Sequence, residues 1–190
     1  MTSRKLVASY GINMNSKEMK RKTKGVIVGL GFIEGFELEF RTFLTIKRNS
    51  ESKVPVVIWS ISEEDERRLD EFEFVNNGLF QKEILKIKVA ALTEHADQLI
   101  EVNSEGVFAL AYIMNDGVEP VGQPTLEAYN LIFSAYIQNG IDITPLATAL
   151  IKTWPKYDEL ELMKLAGYTE EEMKVVFMSL ALKSILNIKN

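Results

Sequence analysis

The order in which apolar patterns occur along the chain limits its fold more than any other sequence feature. Short β-like runs come first and helical patterns come last. Leu6–Tyr10 reads as a strand running into Gly11-Ile12-Asn13-Met14, and Asn15 with Glu18 forms a capping-box pattern that opens a basic helix through Lys22. Phe36–Phe40 and Phe43–Lys47 are β-like, Asn49–Lys53 reads as a polar turn, and Val54–Ile61 is a strongly apolar strand. Ser62 or Ser60 caps a charged helix over Glu63–Glu71. Asn76-Asn77-Gly78 is a turn, Leu79–Ala90 a long strand, Glu94–Ser104 a polar hairpin loop and Gly106–Met114 a returning strand. Pro124 and Thr125 then open a helix that runs to about Asn139 and stops at Gly140. Strands early and helices late predict an α+β fold rather than regular β-α-β winding.

The last part of the chain differs. Residues 146–190 read as a helical extension to a domain over residues 1–145, with Pro155 as punctuation. Thr169 and Glu172 repeat the capping-box pattern, and Met173, Val176, Phe177 and Leu180 make an apolar helix face. That face is expected to pack on the domain or to form a homodimer contact. Leu165-Ala166-Gly167-Tyr168-Thr169 before a helix has a helix-turn-helix flavour, but Glu170, Glu171 and Glu172 would stand at the end that meets DNA and oppose its phosphates.

Composition removes several classes of function. A net charge of −5 argues against binding a nucleic-acid polymer, which needs a basic footprint. With no cysteine, disulfides, thiolate metal sites and cysteine nucleophiles are ruled out. His95 is the only histidine, lies in a polar loop and is read as solvent-exposed, so neither a metal site nor a cofactor is expected. The opening Met1-Thr2-Ser3-Arg4-Lys5 runs into an apolar stretch too short for a signal peptide or a membrane span. A cytoplasmic protein that takes a small molecule, with no membrane partner, is the expectation.

Four motifs stand in order: Tyr10-Gly11-x-Asn13-Met14, Leu69-Asp70-x-x-Glu73, Ala111-Tyr112, and Pro124-Thr125-x-x-Tyr129. Together they resemble the gamma-glutamylcyclotransferase-like family, whose pattern is Tyr-Gly-Ser-Asn-(Met/Leu), Leu-Asp-x-x-Glu-Gly, an aromatic-rich strand and Pro-Ser-x-x-Tyr. The likeness covers residues 6–145. It implies a mixed, barrel-like sheet flanked by helices around a small-molecule cleft. It also implies release of 5-oxoproline from a gamma-glutamyl amine, in which the substrate's own α-amine attacks its γ-carbonyl and no enzyme nucleophile is needed. The family's proton-shuttling glutamate maps to Glu73. Its substrate loop maps to Tyr10, Gly11, Ile12, Asn13 and Met14, whose backbone N–H groups would hold a carboxylate or carbonyl oxygen. Phe80, Tyr112 and Tyr129 map to the pocket wall.

The chain departs from the pattern at three places. Ile12 replaces the family serine, Phe74 the glycine after the glutamate, and Phe80 a tyrosine. Two readings therefore stand: an enzyme acting on a gamma-glutamyl amine or related amide, and an altered or inactive member whose cleft holds a small metabolite or nucleotide-like signal. An interaction protein working through its C-terminal helices is a third. Without the family pattern, Glu73 among Glu63, Glu64, Asp65, Glu66, Asp70 and Glu71 reads as a solvated surface residue. The basic run Lys17–Lys24 reads as a solvated helix face, or as a lure for an anionic ligand.

Overall fold

The computed structural model describes residues 4–41, 43–94, 96, 106–118 and 126–153. His95, Pro124, Thr125 and the stripe from Met173 to Leu180 lie outside the described residues.

Strand β1 (Arg4–Ser9) leads through a short 3-10 turn (Ile12–Met14) into helix α1 (Ser16–Lys22). Asn15 caps α1, its side-chain oxygen accepting from the N–H groups of Lys17 and Glu18. Two long strands follow, β2 (Val26–Phe40) and β3 (Leu44–Ser62). Helix α2 (Glu63–Phe72), a second 3-10 turn (Val75–Asn77), strands β4 (Phe80–Leu92) and β5 (Val107–Met114), and helices α3 (Leu126–Gln138) and α4 (Thr144–Thr153) complete the order. The strands close a barrel in the order β1-β3-β2-β4-β5. Neighbours are antiparallel except β1 and β5, which run parallel at Val7↔Leu110, so the sheet is mixed. The fold is the α+β barrel with flanking helices that the motifs imply.

Two expectations about strands are corrected. The first concerns Phe36–Phe40, which is only the end of a strand that starts at Val26. Gly29 and Gly31 hide its alternation, and they are there because β4 comes too close for a side chain. A Cβ on Gly29 would lie 2.5 Å from the Ala91 carbonyl oxygen, and one on Gly31 would lie 2.7 Å from that of Lys88. The second concerns Asn49–Lys53, which is not a chain reversal but part of β3. Pairing jumps there from Phe36↔Arg48 to Glu34↔Lys53, so the polar segment is a wide bulge opposite Gly35. Asn49 steadies it, donating to Glu37 at 2.9 Å and accepting from the Glu51 N–H at 3.1 Å.

Every residue of Val54–Ile61 is buried, which explains why its sequence shows no alternation. Helix α3 buries Ala135 and Tyr136 and touches the first turn, where Asn139 donates to the Met14 carbonyl at 3.2 Å. Helix α4 spans the expected boundary at 145/146. It packs on β2 with Leu146 and Ala149 buried, and Lys152 reaches Glu37 at 2.7 Å. Among the described residues no helix is long and apolar enough to cross a membrane.

The close approach of β2 and β4 yields a direct expectation. Gly29→Ala should lower unfolding stability by about 1–3 kcal/mol, because backbone must move to admit the methyl group. Gly117→Ala, which meets nothing within 4 Å, should stay within about 0.5 kcal/mol of the parent in the same urea titration. Equal stabilities for the two variants would contradict the packing described.

Candidate active site

Helix α2 starts at a reciprocal capping box. The Ser62 hydroxyl accepts from the Asp65 N–H at 3.1 Å, and the Asp65 carboxylate accepts from the Ser62 N–H at 3.2 Å. Glu63, Glu64, Asp65 and Glu66 fill its first turn, where the helix dipole favours negative charge. Asp65 also accepts from the Lys24 N–H at 2.9 Å, which ties the end of α1 to the start of α2.

The Leu-Asp-x-x-Glu motif divides its work. Leu69 is wholly buried. Glu73 lies one turn further on the same helix face, and its N–H closes the helix on the Leu69 carbonyl at 2.8 Å. Asp70 points at the barrel instead. It accepts from the Tyr112 hydroxyl at 2.8 Å and from Lys82 at 2.8 Å. Lys82 also reaches Glu66 at 2.8 Å, and Lys5 reaches Glu66 at 2.6 Å. The helix is thereby fastened to β1, β4 and β5.

The first turn meets Glu73 from the other side. The Asn13 amide nitrogen donates to Glu73 Oε1 at 2.7 Å, and the Asn13 amide oxygen accepts from Lys22 Nζ at 2.7 Å. An ammonium has only donors, so Lys22 fixes which end of the amide faces the carboxylate. Lys22 also sits 5.2 Å from the Phe72 ring centroid. Burial holds the Glu73 carboxyl above the usual carboxylate range, against the opposing pull of the Lys22 charge and the Asn13 hydrogen bond. Burial likewise lowers Lys22, with Glu73 opposing it.

These groups line a cavity of about 410 Å³, large enough to take a small ligand. Its wall includes Tyr10, Gly11, Ile12, Asn13, Lys22, Glu73 and Tyr112, with Phe40, Phe43, Leu44, Phe72, Phe74, Phe80 and Ile132 making it largely apolar. Of the residues singled out from sequence, Glu73, Tyr10, Gly11, Ile12, Asn13, Phe80 and Tyr112 come together here. Both tyrosine hydroxyls are committed to the scaffold: Tyr10 donates to the Tyr112 carbonyl and Tyr112 to Asp70.

Two residues expected to meet a ligand, Met14 from the loop and Tyr129 from the wall, are not among those lining the cavity. Met14 is fully buried, and its N–H bonds the Gly11 carbonyl at 2.9 Å, so it closes the turn from behind. The N–H groups of Gly11, Ile12 and Asn13 have no acceptor within the turn itself, as at any helix start. Tyr129 is not part of the wall. It packs against Phe40 and Phe133, each with its ring centroid 6.3 Å away, and burial pushes its phenol up to about 12.

Lys22 and Phe72 carry no signal of their own in the sequence. Lys22 looks like one more charge in a basic run. Phe74 is read there as a departure, yet its backbone keeps what the motif's glycine would provide. It adopts the left-handed conformation, with φ 50°, which costs a side-chain-bearing residue about 1–2 kcal/mol.

The position of Glu73 gives a pH dependence with a definite sign. A carboxyl whose native pKa is raised binds its proton more tightly folded than unfolded. Its contribution to stability is therefore fully present below the ordinary carboxylate pKa and is lost as pH rises through the native one. Glu73→Gln stays neutral, so its stability relative to the parent should climb across that window and level off above it. Denaturant midpoints from acid to neutral pH check this, and a relative stability that falls with pH would contradict it.

No protein-family model matches the chain, and no curated protein matches it in sequence. Solved structures do match. A gamma-glutamyl cyclotransferase aligns with TM-score 0.58 at 17% identity, over 82% of this chain and 89% of its own. An uncharacterized protein from Homo sapiens gives TM-score 0.58 at 17% identity, over 82% and 88%. A gamma-glutamyl cyclotransferase specific to glutathione, from yeast, gives TM-score 0.53 at 16% identity, over 82% and 97%. At these identities the likeness speaks to architecture. The closed mixed barrel, its flanking helices and these structural neighbours together give the chain the gamma-glutamyl cyclotransferase-like fold.

Proposed function

We propose that the protein cyclises a gamma-glutamyl amide, releasing 5-oxoproline and a free amine. The observation that carries this reading is the half-buried Glu73 carboxylate in the cavity, held by Asn13 with Lys22 behind it. Glu73 takes a proton from the substrate's α-ammonium. The freed amine attacks the γ-carbonyl carbon, a C–N bond forms to close the lactam, and the original amide C–N bond breaks. Glu73 returns its proton to the departing amine, and the regenerated carboxylate then passes the second proton of the attacking nitrogen to that amine, which leaves as an ammonium, so no co-reactant is consumed. Ring closure within one bound molecule supplies much of the acceleration.

The electrostatics support that role. An ordinary carboxylate is too weak a base for an ammonium, and a raised pKa brings donor and acceptor closer together. Lys22 opposes the raise, which favours the ionised form that accepts the proton. Donors from Gly11, Ile12 and Asn13 are suited to the oxygen on which charge builds as the ring closes. The Ile12 side chain removes a hydroxyl from this loop but leaves its N–H in place.

A second reading draws on the cavity wall. With Ile12 and Phe80 in place of hydroxyl-bearing residues and both tyrosine hydroxyls engaged, a cleft that binds a small metabolite without turnover is the alternative.

Mass spectrometry for 5-oxoproline separates them, using a panel of gamma-glutamyl dipeptides, gamma-glutamyl amines and glutathione. Release should rise with pH through a midpoint above the usual carboxylate range. Glu73→Gln should lower kcat/KM by about 10²–10⁴-fold. No release by the parent protein from any panel member would overturn the enzymatic reading in favour of the binding one.

A further inference from the structure

We infer that the cleft selects amides whose leaving amine carries an aromatic group, and that Phe72 and Phe74 are the residues that select it. The inference rests on the cyclisation reading and adds the substrate class to it.

The chain reads Phe72-Glu73-Phe74, so the proton donor stands between two phenylalanines. Both rings line the cavity, and both are 53% exposed, which puts them at its mouth. Phe43 is a third large exposed side chain on the same wall, 48% exposed, with its ring centroid 6.4 Å from that of Phe80. Apolar rings gathered at the opening of a cleft, rather than scattered over the surface, mark a ligand surface.

The backbone adds an independent argument. Phe74 stands in the left-handed conformation at φ 50°, where glycine would be free of strain. A strained residue at a cleft points to a function for its side chain. The turn holds Phe74 there, its N–H bonding the Glu71 carbonyl at 3.2 Å and its carbonyl accepting from Asn77 at 3.1 Å and Leu79 at 3.2 Å, and the phenyl group left open to solvent is fitted to contact a ligand.

Geometry then assigns which part of the substrate meets the rings. The departing nitrogen must come within hydrogen-bond reach of Glu73 to be protonated. The gamma-glutamyl head carries the polar groups, and the polar lining it can use comes from Ser9, the Gly11–Asn13 turn and Lys22. The substituent on the departing nitrogen is therefore the part that extends from Glu73 toward Phe72 and Phe74. An aryl group one or two carbons from that nitrogen would lie among the rings, where offset or edge-to-face contacts are favourable.

The test compares two amides with identical heads, gamma-glutamyl-phenethylamide and gamma-glutamyl-ethylamide. The parent protein should favour the first by about tenfold or more in kcat/KM, the size of one aromatic contact. That ratio should fall toward one in Phe74→Gly and in Phe72→Ala. Phe74→Gly relieves the backbone rather than straining it, and thermal melts of both variants confirm that they fold. Equal rates on the two amides, or a ratio unchanged in both folded variants, would overturn the selection while leaving the cyclisation reading intact. Absence of 5-oxoproline from both amides, with release from another member of the panel above, would overturn the selection, and absence from every panel member would sink the cyclisation reading itself. Calorimetry with free phenethylamine and ethylamine then decides the remaining point: tighter binding of phenethylamine that weakens in the variants supports the aromatic site, and equal or undetectable binding of both overturns it.

Discussion

The site depends on how the end of α2 is fastened to the barrel. Asp70 receives the Tyr112 hydroxyl and Lys82, and Glu66 receives Lys82 and Lys5. These ion pairs are partly buried but keep their lysines open to solvent, and each contributes roughly 1 kcal/mol or less on its own. Their joint effect is geometric. They place donors from β1, β4 and β5 on one face of the helix, so the turn after it has one orientation available. Leu69 fills the core on the neighbouring face, and Glu73 follows it into the cavity. The antiparallel pairing of β1 with β3 starts α2 beside the first residue of β1, at Arg4↔Ser62, and the Asn13–Glu73 hydrogen bond joins the turn after β1 to the helix end.

The carboxylate delivered there is held between opposing influences. Burial favours its neutral form, while Asn13 and the nearby Lys22 charge favour the ionised one. Burial wins, which leaves a base stronger than a surface glutamate and still able to ionise. Asn13 is the hinge of this balance because its two ends face opposite partners, and Lys22 decides which end faces which. Phe74 shows the same economy in the backbone, keeping a glycine conformation while presenting a ring.

Much of this was legible in the sequence, and the exceptions have physical causes. The motifs located Glu73, the Gly11–Asn13 turn and Tyr112, because each needs a residue type at a fixed spacing. The start of β2 was hidden by Gly29 and Gly31, whose reason lies in a strand distant in sequence. The bulge at Asn49–Lys53 reads as a turn because polar composition does not distinguish a break in pairing from a reversal of the chain. Met14 and Tyr129 share the motifs of wall residues but face the core, since a motif fixes position along the chain and not the direction of every side chain in it. Lys22 could not be told from its neighbours, because only the packing of α1 beside the first turn brings one lysine of the run to Asn13.

The most direct test of the account is the titration of Glu73 itself, followed by carbon-13 NMR of its side-chain carboxyl. The expected midpoint lies above the ordinary glutamate value of about 4.3 and rises further in Lys22→Met, where the charge that favours ionisation is gone. A midpoint at or below the ordinary value, or one indifferent to Lys22, would contradict it.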